Sequence, residues 1–425
     1  MLRKLIFIAL IISCSMKELF EDYYQRAEEI ISNMTFEQKV GQLFFARFNN
    51  TFKDSDITTK FPGGFVLFAY DFNYSSNEVI KNMKYIKKLY KKTLNLSLGL
   101  SVDEEGGTVT RISSHKKHRS EPFPSPHDIY SKSGLEGLLK IEKEKRDLLR
   151  KFKMNVNLAP VADFSNNPND YIYKRTLGYP LSETIDYISK EVIEYNNDNF
   201  TCCAKHFPGY GNNIDTHGEI AYDNRSYETF EKEDLKPFEA AIKEEIPMIL
   251  ISHNIVTCKD PDYPASISKI WHNILRNDLS YSGIIITDDL SMQAIQKYSG
   301  NYSPAIIAVN AGNDIILTSQ FHEHLSAVME AVKNGTISDD TIYKACRRII
   351  AWKLKYLIND ENEEEEEDDD DEDNDNNTSL IICLTIVGVV VLMIFIFLIL
   401  KFYVFKKNKS KGTIDESLTA VENND

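Results

Sequence analysis

Eight short apolar runs recur along most of the chain, and between them it turns charged and amphipathic. The runs are Leu43-Phe44-Phe45-Ala46, Phe65-Val66-Leu67-Phe68, residues 96–102, Val156-Asn157-Leu158, Cys202-Cys203-Ala204, residues 248–251, Ile284-Ile285-Ile286 and Ile315-Ile316-Leu317. Continuous apolar runs this short suit strands covered on both faces, as in parallel sheets. The stretches 77–92, 134–151, 181–197 and 230–243 carry apolar residues at helix period instead. Strand and helix alternating eight times predict an α/β fold of the (β/α)8, TIM-barrel type. An open doubly wound sheet shows the same alternation, so the positions of the polar residues decide between the two. Asp103, Asp163, Lys205-His206, His253 and Asp288 each follow a different run. A barrel gathers all its strand ends at one mouth, where barrel enzymes keep their active sites.

The flanks break this pattern. Residues 1–15 have a basic start, a short apolar core and a small-residue exit, which predicts a signal peptide; a buried first helix has no need of those flanks. The globular pattern then fills residues 17–358. Residues 359–379 are dominated by acidic side chains, with fourteen carboxylates between positions 360 and 375, nearly the whole of the net charge of −15. Such a run repels itself and buries nothing, so it predicts a disordered stalk. The uncharged run 380–400 is 21 residues long, enough for one transmembrane helix, and the lysines of 401–425 predict a cytoplasmic tail. The expectation is a single-pass membrane protein anchored by a C-terminal helix, its barrel extracellular or lumenal, at the plasma membrane or in a lysosome-like compartment. Acceptor triplets such as Asn73-Tyr74-Ser75 and Asn301-Tyr302-Ser303 agree with glycosylation on that side. With the acidic run set aside the protein is close to neutral and has no basic stripe, which argues against nucleic acid as a partner. Cys202, Cys203, Cys258 and Cys346, the cysteines outside the two terminal apolar segments, are too few for a disulfide scaffold.

The densest chemistry lies in Lys205-His206-Phe207-Pro208-Gly209-Tyr210-Gly211, followed closely by Asp215-Thr216-His217. A carboxylate beside a histidine can hold one tautomer and stabilise the imidazolium, and an unperturbed pKa near 6.5 suits proton donation at mild pH. Asp288 ends the most apolar run, where a rigid strand end would fix a nucleophile. Its neighbour Asp289 suits the role of N-cap to a following helix. Two common alternatives fail on spacing. There is no Gly-x-Ser-x-Gly elbow, and Gly209-Tyr210-Gly211 does not continue to a third glycine.

Taken in order, five motifs resemble glycoside hydrolase family 3, in particular its single-barrel β-N-acetylglucosaminidases. Val102-Asp103-Glu104-Glu105-Gly106-Gly107, with Arg111 after it, is similar to that family's Asp-(Gln/Glu)-Glu-Gly-Gly turn. Asn157-Leu158-Ala159-Pro160-Val161-Ala162-Asp163 and Lys174-Arg175-Thr176-Leu177-Gly178 resemble its next two segments. The stretch from Lys205 through Asp215-Thr216-His217 resembles Lys-His-Phe-Pro-Gly-His-Gly and Asp-Ser-His. Thr287-Asp288-Asp289-Leu290-Ser291-Met292 is similar to Ser-Asp-Asp-Leu-Ser-Met. The likeness spans nearly all of residues 25–355. It implies Asp288 as the nucleophile of a retaining mechanism and His217 as general acid/base, tuned by Asp215. Asp103, Arg175, Lys205 and His206 would bind the sugar, and no metal or organic cofactor is implied. Tyr210 and Thr108 depart from the pattern, which usually has His and often Arg there.

The resemblance therefore implies an exo-β-N-acetylglucosaminidase acting on glycans with terminal β-linked N-acetylglucosamine, peptidoglycan fragments among them. A β-glucosidase or xylosidase, a glycosyl phosphorylase, and an inactive membrane sugar receptor are the rival expectations. Intact Asp288 and His217 argue against the receptor.

Overall fold

All eight apolar runs become strands of one parallel sheet. The computed structural model describes residues 17–48, 52–213, 221–292, 295, 298, 302–357 and 401. In chain order the strands are β1 (Phe44–Arg47), β2 (Gly64–Leu67), β3 (Gly99–Val102), β4 (Val156–Asn157), β5 (Thr201–Phe207), β6 (Tyr222–Asp223), β7 (Met248–Ile251), β8 (Ile255–Val256), β9 (Ile284–Thr287) and β10 (Ile316–Thr318). The sheet runs β10-β1-β2-β3-β4-β5-β7-β9, while β6 and β8 pair only with each other. Its two ends meet. Ile286 bridges Ile315 in parallel, and the Thr287 N–H donates to the Ile315 carbonyl at 3.1 Å. The sheet is thus closed into an eight-stranded barrel, and an open doubly wound sheet is excluded.

Helices follow the strands around the outside, among them Ser76–Leu94, Pro126–Lys151, Leu181–Asn197, Leu235–Lys243 and Asp339–Tyr356. Three of the four expected helices match closely. The helix expected from residue 134 starts at Pro126 behind a Ser125 N-cap, and a break at Gly134 hides its first turns from the periodicity. The helix expected from residue 230 opens with a wide turn over Phe230–Asp234 before settling at Leu235. Cys202, Cys203 and Cys346 are buried free thiols.

The floor of the barrel is plugged from far along the chain. Trp352, on the helix Asp339–Tyr356, is fully buried; its ring lies 6.2 Å from that of Phe45, and its Nε1–H donates to Thr201 Oγ1 at 3.0 Å. Gly99, at the start of β3, makes room for this pair: a Cβ there would fall 2.6 Å from the Phe45 ring and 3.3 Å from Trp352. The same helix packs on the N-terminal helix Glu21–Ser32, with Phe20 edge-on to Tyr356 at 6.5 Å.

The expected membrane placement is corrected. Among the described residues no helix is long and apolar enough to cross a membrane. Pro126–Lys151, at 26 residues, has the length but carries charged side chains along it, and its apolar stripe serves the barrel. The signal peptide 1–15, the stalk 359–379, the run 380–400 and, Lys401 excepted, the tail lie outside the described residues.

Trp352→Ala would leave a hole under the barrel and strand the Thr201 hydroxyl. It is expected to cost about 3–5 kcal/mol, read from urea unfolding. A loss below about 1 kcal/mol would show that the floor closes without the indole.

Candidate active site

The site is assembled from the turn after β3, whose geometry is set by a residue that never meets solvent. The Glu104 carboxylate accepts from Arg111 N–H at 2.9 Å and Ile112 N–H at 2.8 Å, and from the Ser113 hydroxyl. Its own N–H donates to Asn157 Oδ1, 3.1 Å away on β4. This ties the loop back on itself and leaves Asp103 and Glu105 directed into the mouth.

There both carboxylates meet Lys205 of β5, whose ammonium lies 2.7 Å from Asp103 Oδ1 and 2.6 Å from Glu105 Oε1. Arg175 grips Glu105 with two bonds, Nε to Oε2 at 2.9 Å and Nη2 to Oε1 at 2.7 Å, a bidentate fork. Arg111 Nη2 adds a contact to Asp103 Oδ2 at 3.2 Å. Burial alone would raise both carboxyl pKa values. The Arg175 and Lys205 charges overturn this for Glu105, and Lys205 and Arg111 for Asp103, so both are held below the usual carboxylate range. Lys205 moves the other way: burial would lower its pKa, but Asp103 and Glu105 raise it. Asp103 and Arg175 keep side-chain exposures of 17% and 14%, while Lys205 and Glu105 keep 2% each. The first pair forms the accessible edge of the cluster and the second its back wall.

His206 enters beside Lys205 because β5 bulges. Opposite β7, Lys205 pairs with Leu250 and Phe207 with Ile251, so His206 is the extra residue. The Lys205–His206 peptide is cis. Its Nδ1 lies 2.7 Å from Asp163 Oδ2 and its Nε2 3.1 Å from Arg175 Nη2. A carboxylate can only accept and a guanidinium can only donate, so the proton sits on Nδ1 and Nε2 accepts. Asp163, noted as a strand-end carboxylate, is a buried anchor whose other oxygen accepts from Tyr210 N–H at 2.7 Å.

The loop beyond is braced from behind. Arg225 forks onto both Asp223 and Asp234, and Asn213 Nδ2 donates to Asp223 at 3.0 Å. Gly211, with φ of +54°, lies flat on this guanidinium; a Cβ there would fall 2.1 Å from Arg225 Nη2. Asp215 and His217, the expected acid/base pair, lie outside the described residues.

Asp288 follows β9 and is half-buried. Its Oδ1 accepts from Asp289 N–H at 2.9 Å, and its own N–H donates to the Ile251 carbonyl at 3.2 Å. Burial would raise its pKa, but His253, His206, the Asp289 N–H and, last, Lys205 lower it overall. His253 is fully buried, with Nδ1 2.7 Å from Ser266 Oγ and Nε2 3.1 Å from the Asp289 carbonyl. Asp289 closes a turn onto Ser291 N–H at 2.9 Å and holds the loop after β10 through Ser319 N–H at 3.1 Å.

Of the expected sugar-binding residues, Asp103, Arg175, Lys205 and His206 thus form one connected cluster. Glu105, its centre, was not singled out beforehand, although two glutamates directly after a strand-end aspartate were a visible signal. The Arg225 brace had no such signal. A cavity of about 1280 Å³ lies away from the mouth, where Asp314 is held between Arg276 and Arg348 before β10; it contains none of these residues.

A closed parallel barrel with charged groups converging at the C-terminal ends of its strands is the framework of an α/β-barrel enzyme. The chain belongs to glycosyl hydrolase family 3, whose N-terminal-domain sequence model matches residues 35–352. It is a glycoside hydrolase. A β-hexosaminidase of Tolumonas auensis is 29% identical over 286 residues, covering 65% of this chain and 81% of its own. One of Idiomarina loihiensis is 30% identical over 241 residues, 55% of this chain and 70% of its own. Among solved structures, a family 3 β-N-acetylglucosaminidase from Paenibacillus sp. FPU-7 superposes with a TM-score of 0.71 at 28% identity, covering 77% of this chain and 63% of that one. This chain therefore spans less than two thirds of the Paenibacillus protein's length.

Because Asp103 and Glu105 are held below their unfolded pKa values, the stability they lend is present above about pH 4 and is lost as the pH falls. Glu105→Gln leaves Lys205 and Arg175 short of a charge partner, and is expected to cost about 3–5 kcal/mol at pH 7. The variant is also expected to lose less further stability than the wild type between about pH 5 and 3. Urea midpoints across that range test this, and parallel curves for the two proteins would remove Glu105 from the acid-sensitive set.

Proposed function

We propose that the domain spanning residues 17–358 is a retaining exo-β-N-acetylglucosaminidase that releases terminal β-linked N-acetylglucosamine from glycans, peptidoglycan fragments among them. One observation carries the reading. Asp288 is a carboxylate kept ionised at a strand end, in the same barrel mouth as the Asp103–Lys205–Arg175–His206 cluster. The hexosaminidase relatives supply the sugar class.

In the first half of the reaction Asp288 attacks the anomeric carbon while the departing oxygen takes a proton from His217, leaving a glycosyl ester on Asp288. In the second half, water gives a proton back to His217 and attacks the same carbon, and the Asp288 carboxylate is released. Asp215 stabilises the imidazolium that donates in the first half and is formed again in the second. Asp103 accepts from sugar hydroxyls and Arg175 donates to them, since these two present the accessible edge. Lys205 and His206 hold that edge in register from behind and from the side. Such contacts accelerate the reaction to the extent that they tighten as the ring flattens toward the oxocarbenium-like transition state.

Asp288→Ala is expected to lower turnover of a nitrophenyl β-N-acetylglucosaminide by ~10⁴-fold or more with the fold unchanged by circular dichroism. His217→Ala is expected to cost roughly 10²–10⁴-fold on a poor leaving group and far less on a dinitrophenyl one, which departs without a proton. Wild-type protein that cleaved a β-glucoside but no β-N-acetylglucosaminide would overturn the sugar assignment. An active Asp288→Ala variant would overturn the nucleophile.

A further inference from the structure

Exposed tyrosines gather around the mouth. Six of the eight among the described residues, Tyr70, Tyr74, Tyr171, Tyr222, Tyr263 and Tyr302, lie in segments leaving the C-terminal ends of barrel strands; Tyr85 and Tyr343 lie on outer helices. Tyr171 is joined to the charged cluster through its own turn. It opens the short turn Tyr171–Arg175, whose last residue is the guanidinium that grips Glu105 and faces His206.

The ring of Tyr171 does not stand alone. Its centroid lies 5.8 Å from that of Tyr210, and Tyr210 lies edge-on to His206 at 5.5 Å. Tyr210 is 3% exposed and its backbone is pinned by Asp163, whereas Tyr171 is 41% exposed. The three rings form a graded wall from the buried imidazole out to water. Tyr210 is the residue that departs from the family's usual histidine, so this wall is a feature of this chain's own sequence.

A large aromatic face left half in water beside a polar pocket suits a partner that is apolar on one face and polar at its edge, because such a ring loses little by waiting in solvent and gains contact area when covered. A β-linked pyranose has that form: C–H groups on its faces and hydroxyls around its rim. A peptide or phosphate aglycone offers no such flat face, and a lipid would leave the polar edge of the tyrosine unmatched.

We propose that Tyr171, backed by Tyr210, is the platform for the second sugar ring, the one on the leaving side of the scissile bond, so that the enzyme selects β-linked oligosaccharides over simple glycosides. This rests on the hexosaminidase reading above, and Tyr171 is a specificity-determining residue rather than a catalytic one.

The test compares methyl β-N-acetylglucosaminide, which has no second ring, with N,N′-diacetylchitobiose, following released N-acetylglucosamine by chromatography. Tyr171→Ala is expected to lower kcat/KM on the disaccharide roughly tenfold, mostly through KM, and to leave the methyl glycoside within about twofold. Tyr171→Phe is expected to keep wild-type values on both, since the ring face and not the hydroxyl bears the sugar. Equal losses on the two substrates would make Tyr171 a support for Tyr210 and overturn the proposal, as would an Ala variant that handles the disaccharide like wild type. Wild-type protein inactive on both substrates would instead sink the hexosaminidase reading itself.

Discussion

An ammonium group buried at the centre of a barrel mouth is costly unless its charge is answered nearby, and the placing of Lys205 imposes that requirement on everything around it. Asp103 and Glu105 answer it from the turn after β3, and Arg175 then answers the second carboxylate from the segment after β4. Arg111 joins through Asp103. Three cations facing two carboxylates leave a surplus of positive charge in a poorly hydrated place. Burial opposes the charge on Asp288, but Asp288 is kept ionised by His253 and His206, with the Asp289 N–H and Lys205 adding less. The cluster presents the edge of Asp103 and Arg175 to solvent, and its lysine adds a smaller share to keeping a carboxylate two strands away ionised.

Around this centre the structure is graded in rigidity. The floor is aromatic and closely packed, with Phe45 and Trp352 meeting over Gly99. The middle tier is polar, and almost every group in it has a named partner: Asp163 serves His206 and Tyr210, Glu104 closes its own loop, and Arg225 ties Asp223 to Asp234. The rim offers several large side chains to water, and these are mostly tyrosines. Precision is concentrated where charges must stay fixed, and adaptable surface lies where partners of different length would arrive.

The strands were legible because each needed only a short run covered on both faces, and all eight formed where the runs lie. The gathering of Asp103, Arg175, Lys205 and His206 was legible as well, through strand ends and motif order. For Glu105 the only signal was the pair of glutamates after Asp103, and which of the two faces the mouth depends on how the turn is tied; the tie is Glu104 bonding to residues 111–113. The bulge at His206 leaves no trace in hydrophobic pattern, because one extra residue changes the register without changing composition. The first turns of the helix Pro126–Lys151 were hidden by Gly134, and β6 and β8, two residues each, are too short for any periodicity. The membrane placement drew on the run 380–400 and the lysines after it, which, Lys401 excepted, lie outside the described residues.

Trp352 belongs to the last helix of the barrel, yet it sits against the beginnings of strands made hundreds of residues earlier, and β10 seals β1 from the same late region. During synthesis the sheet therefore stays open at one seam, with Phe45 and its neighbours bare, until the final stretch of the domain has left the ribosome. A nascent chain in that state exposes sticky apolar surface for most of its translation time, and a message truncated just before codon 352 would yield a barrel that is nearly complete and still recognised as unfinished by chaperones and proteases.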